Sequence, residues 1–71
     1  MSVNFENIID DLIEQRKKLG ITQLELAEMA ELAQPAISRL ESKRTIPQLD
    51  TLLKVVSALN CNLKIIPNTK K

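Results

Sequence analysis

The chain has 71 residues, with ten lysines and arginines against nine carboxylates, no histidine, one cysteine, one glycine and one aromatic residue. A nucleophile–base triad or a zinc site would need histidines or clustered cysteines. Neither G-x-x-x-x-G-K nor G-x-G-x-x-G can be written with a single glycine, so the composition points away from an enzyme and implies no catalytic residue, metal or cofactor.

Residues 5–19 predict the first helix, because Phe5, Ile8, Ile9, Leu12, Ile13 and Leu19 recur at three- and four-residue spacing. Arg16 falls on that apolar stripe. A guanidinium facing a core needs a carboxylate, since an unpaired buried charge is strongly destabilising. Gly20 is the natural stop, with Lys17 and Lys18 solvated at the negative end of the helix. Thr22 then opens a second helix as N-cap, and Glu25 completes a capping box.

That second helix is expected over 23–30 and a third over 34–41, with Glu31 and Leu32 in the turn and Pro35 in the third helix's first turn. Apolar residues fall at Leu24, Leu26, Ala27 and Ala30, then at Ala33, Ile37 and Leu40. They leave a polar face of Gln34, Pro35, Ser38 and Arg39, the division of faces that a helix entering the major groove of DNA requires.

Residues 42–47 read as a polar loop. A fourth helix is expected over 48–59, burying Leu49, Leu52, Leu53, Val56 and Leu59. Residues 62–66, β-branched, alternating and stopped by Pro67, predict a short C-terminal strand, and residues 68–71 a frayed tail. Cys61 is read as a small buried apolar residue rather than a reactive thiol, and a single cysteine suits a reducing compartment. The first residues show neither a basic leader nor a membrane-spanning run, so a cytoplasmic protein is expected.

Charge is unevenly placed. Residues 1–32 hold three cations against seven carboxylates, net −4, while residues 33–71 hold seven against two, net +5. The sign changes at the third helix, where a phosphate-binding surface would gather positive charge; scattered charge on solvated helix faces is the plainer account.

Gln23, Ala27, Ile37 and Leu40 stand at the spacing of the helix-turn-helix in Cro/C1-type (XRE-family) repressors, which this chain resembles. The likeness runs from Arg16-Lys-Lys-Leu-Gly-Ile-Thr-Gln through Leu26-Ala and Ile37-Ser-Arg-Leu-Glu-Ser-Lys-Arg-Thr-Ile-Pro to Leu49-Asp-Thr-Leu-Leu. One departure is Glu31, at a turn position that is usually glycine because its backbone is left-handed. The resemblance implies that Gln23 binds a phosphate, together with the adjacent helix-end amides. It implies that Gln34, Pro35, Ser38 and Arg39 face the groove, that Lys43, Arg44 and Thr45 grip the next phosphates, and that Arg16 and Glu41 form a buried ion pair. Each role has a plainer rival. Arg39 is a base or phosphate contact or an ordinary exposed arginine; Gln34 touches DNA or caps its helix. Ser38 contributes a contact or only close approach, and Pro35 shapes the helix start or touches a thymine methyl. Lys43 and Arg44, outside the helix, suit phosphates better than bases.

The expected fold is therefore all-α, a four-helix lambda-repressor-like domain over residues 1–60, with residues 61–71 as a C-terminal strand and tail used for dimerisation. The expected function is sequence-specific binding of double-stranded DNA by a transcriptional regulator, most simply a repressor. It would act as a homodimer on a near-palindromic operator, with Leu63 and Ile65 of paired strands covering the fourth helices. A chain of this length is expected to lack a separate ligand-sensing domain. The alternative is an antitoxin, since a helix-turn-helix followed by Leu59-Asn-Cys-Asn-Leu-Lys-Ile-Ile-Pro resembles the HipB kind, which also holds a toxin partner. A motif that has lost DNA binding and only docks proteins is a third reading, opposed by the presence of Gln23, Arg39, Lys43 and Arg44.

Overall fold

Four helices make up the regular structure in a computed structural model describing residues 4–65 and 67. They are α1 (Phe5–Lys18), α2 (Gln23–Ala30), α3 (Gln34–Ser42) and α4 (Leu49–Ala58). The first two are fixed by their caps. Asn4 accepts from the Glu6 amide at 2.8 Å. Thr22 Oγ1 accepts from the Glu25 amide at 3.1 Å, while the Glu25 carboxylate accepts from the Thr22 amide at 2.8 Å. Each bond satisfies an amide that the helix itself leaves without a partner. No side chain caps α3 or α4, and Pro35 sits in the first turn of α3.

Each helix is followed by a left-handed residue, although the chain has one glycine to supply. Gly20 has φ 72°, Glu31 59°, Lys43 61° and Asn60 59°. Beyond three of these residues the next amide folds back onto the helix: Ile21 N to Arg16 O at 3.3 Å, Leu32 N to Ala27 O at 2.8 Å and Cys61 N to Val56 O at 3.0 Å. This is the Schellman closure, and an apolar residue just past the end commonly packs back on the helix. Ile21, Leu32 and Cys61 do so here, each partly buried against the core.

The core is built from Ile9 and Leu12 of α1, Leu26 and Ala27 of α2, Ile37 and Leu40 of α3, and Leu52, Val55 and Val56 of α4 with Leu59 beyond its end. The α2 helix packs on both α3 and α4, and α1 lies on α3. Two apolar stripes differ from their sequence reading. On α4, Val55 is fully buried while Leu49 and Leu53 are 65% and 44% exposed. In the motif, Leu24 and Ala33 face solvent, and so does Leu19 after α1. The end of α1 at Lys18 and the span of α4 differ from expectation by one residue, and α3 runs one residue further, to Ser42.

The predicted C-terminal strand is not present among the described residues of the single chain. Residues 61–65 carry no regular structure, Leu63 and Ile65 are exposed, and Ile66 and the tail 68–71 lie outside the described residues. A strand needs a neighbour to take its amides and carbonyls, and the described residues of a single chain supply none. Cys61 is a free thiol and half-buried rather than fully buried. No described helix is long and apolar enough to cross a membrane.

Candidate nucleic-acid interface

The outer face of α3 is polar and open. Pro35, Ser38 and Arg39 from the helix and Ser42, Arg44 and Thr45 from its end and the following loop line one shallow concavity. Gln34 is exposed at the start of the same helix, where Ala33 rather than Gln34 holds the cap position. Ile37 and Leu40, on the opposite side, are buried at 0% and 3% exposure, so the core fixes which face α3 presents.

Ser42 was not singled out in the sequence, yet it joins the helix to the loop. Its Oγ donates to Arg39 O at 2.7 Å and accepts from the Arg44 amide at 3.3 Å. The available signal was a serine in the last helical turn, where its hydroxyl reaches back to a free carbonyl. Arg44 and Thr45 are exposed on that loop.

Behind this face lies a charged network. Arg16 Nε donates to Glu41 Oε2 at 2.8 Å and Arg16 Nη2 to Oε1 at 3.1 Å, a two-bonded pair whose side chains are 12% and 9% exposed. Such fork-to-carboxylate pairs are the strong kind. Arg16 Nη1 also donates to Ile21 O at 2.9 Å. Gln23, at the start of α2, donates from Nε2 to Glu41 Oε1 at 2.9 Å.

Lys43 stands apart from the other loop residues. Its Nζ donates to Asp10 Oδ1 of α1 at 2.6 Å, an ion pair open to solvent. The hydrogen bond with Asp10 raises the Lys43 pKa above its ordinary 10.5, with the charges of Asp10 and Glu6 adding and desolvation opposing. The amine is therefore charged at neutral pH and, in the DNA-free protein, paired with Asp10. No group of histidines, cysteines and carboxylates suited to a metal occurs among the described residues.

The family model for "Helix-turn-helix" matches residues 12–66. The chain belongs to this helix-turn-helix family. An uncharacterized HTH-type transcriptional regulator of Haemophilus influenzae is 43% identical over 60 residues, covering 84% of this chain and 61% of that protein. Antitoxin HigA1 of Mycobacterium tuberculosis is 32% identical over 59 residues, covering 83% of this chain and 40% of that protein. The helix-turn-helix chain thus spans about three fifths and two fifths of these curated relatives. A solved structure, "Toxin-Antitoxin module from Streptococcus pneumoniae", superposes with a TM-score of 0.73 at 46% identity, covering 86% of this chain and 67% of that one.

Proposed function

We propose that α3 enters the major groove and reads an operator sequence, making the protein a transcriptional regulator, most simply a repressor that occludes a promoter. The observation that carries this is the concavity on the outer face of α3, where Arg39 stands among Pro35, Ser38, Arg44 and Thr45. Arginine to guanine is the commonest specific pairing, and small neighbours allow the close approach it needs. Gln34 and Ser38 are the further base contacts in this reading. Gln23, Arg44 and Thr45 take phosphates, which fix register without reading sequence. Lys43 joins them by exchanging Asp10 for a phosphate. The test is selection of bound duplexes from a random pool. Recovery of a shared, near-palindromic sequence supports the reading; a pool without any shared sequence rejects it.

The protein is proposed to act in the cytoplasm as a homodimer, with residues 62–65 forming a strand against the same segment of a second copy. Leu63 and Ile65, exposed in the single chain, would be covered by that pairing. A two-fold arrangement spacing the recognition helices by about 34 Å, one turn of DNA, matches a near-palindrome.

A second role is favoured by particular likenesses, to antitoxin HigA1 and to the toxin–antitoxin module of Streptococcus pneumoniae. In that role the chain would also neutralise a toxin by direct contact while regulating its own operon. Co-expression with the adjacent open reading frame checks it: rescue of growth and co-purification support a toxin partner, and their absence leaves the plain regulator.

A further inference from the structure

We propose that Glu41 is a positioning residue for DNA, holding the Gln23 side chain in advance in the orientation that meets the phosphate backbone. This rests on the DNA-binding reading above and adds to it a residue that does not itself touch DNA. Glu41 is 9% exposed at the far end of α3, and both its oxygens are used. Oε2 accepts from Arg16 Nε at 2.8 Å, while Oε1 accepts from Arg16 Nη2 at 3.1 Å and from Gln23 Nε2 at 2.9 Å.

Gln23 is the first residue of α2. The opening amides of a helix have no partner within it and point toward an anion, and Thr22 Oγ1 already takes the Glu25 amide. The bond to Glu41 uses one hydrogen of the Gln23 amide nitrogen and leaves the second to donate beside those backbone groups. A glutamine has three soft torsions, and holding them before DNA arrives removes an entropic loss that binding would otherwise carry. The carboxylate alone would repel a phosphate. Arg16, paired to it by two bonds, cancels that charge, so Glu41 contributes orientation without a negative field. The same Arg16 grips Ile21 O at 2.9 Å, which fixes the turn leading into α2. One partly buried carboxylate therefore sets the recognition helix and the phosphate-facing amide in a common frame.

A double-mutant cycle on the full chain tests this. Affinity for a duplex recovered by selection is measured for wild type, Gln23→Ala, Glu41→Gln and the double variant, below the temperature at which any of them melts. Glu41→Gln leaves one acceptor oxygen for which Arg16 and Gln23 compete, and is expected to weaken binding about tenfold when Gln23 is present and less than about twofold when it is alanine. Equal factors in both backgrounds would overturn the proposal and leave Glu41 a purely structural residue. A second arm needs no substitution. In the DNA-free protein, one proton of the Gln23 side-chain amide should be shifted from its free-peptide position and protected from exchange, as the bond to Glu41 requires. Both protons at their free-peptide positions, exchanging at free-peptide rates, would overturn the proposal even if Glu41→Gln cannot fold. Wild type that binds no duplex in the pool would overturn the DNA reading and this one together, whereas binding with equal factors overturns this one alone.

Discussion

Arg39 and Arg44 share a concavity, but they serve different ends in the proposed complex. If Arg39 reads a base, Arg39→Ala should cost about 1–3 kcal/mol and relax preference at one base pair. Arg44→Ala should weaken every sequence alike and lower the salt slope by about 0.9 for its one phosphate. Mobility shifts on specific and random duplexes across a salt series separate the two; equal loss on both by Arg39→Ala would remove it as a base reader. Glu31 carries a different prediction. Its φ of 59° and ψ of 44° lie in the left-handed region, and its side chain is exposed. Glu31→Gly should therefore stabilise the domain by about 1 kcal/mol, a rise of about 4–8 °C in Tm. A lower Tm would mean that the glutamate has a favourable contact outweighing the strain.

Among the elements, the tie between α1 and the end of α3 matters most. The Arg16–Glu41 pair is partly buried, and removing one member leaves an uncompensated charge, so Glu41→Ala should destabilise by up to about 3–5 kcal/mol. Adding Arg16→Ala should recover part of that loss. Thermal melts of both variants check it, and a single variant melting within a degree or two of wild type would refute it. Much of this level was legible in the sequence. The capping box at Thr22 and Glu25, the stop at Gly20 and the carboxylate demanded by Arg16 all follow from local chemistry. The α4 face was not. Leu49, Leu52, Leu53 and Val56 make one helical stripe; Leu52, Val55, Val56 and Leu59 make another beside it. Periodicity alone cannot choose between them, and packing against α2 buries the second. The segment 62–66 alternates as a strand does but needs a neighbour to become one; residues 61–65 carry no regular structure in the single chain, and the pairing belongs to the proposed dimer.

For the whole molecule, the open question is how the exposed Leu49, Leu53, Leu63 and Ile65 are covered. In the proposed dimer the C-terminal segments pair and their leucine and isoleucine shield α4. Truncation after Asn60 should then lower the association state seen by sedimentation and weaken operator binding more than binding to a half-site. A truncated protein that dimerises and binds as the full chain does would confine any dimer contact to α4 and its surroundings.

The helix ends bear on how long the protein survives. Glu31 and Lys43 hold left-handed backbones that glycine would adopt more easily, in a domain already small for a lone core. A fold whose margin is thin opens often, and proteolysis acts on what opens, so a thin margin here would expose the unbound chain to degradation. Any ligand confined to the folded form shifts that balance by mass action, by about 2.7 kcal/mol at a hundred times its Kd. Persistence in the cell would then become a measure of occupancy, with the bound regulator outlasting the idle one.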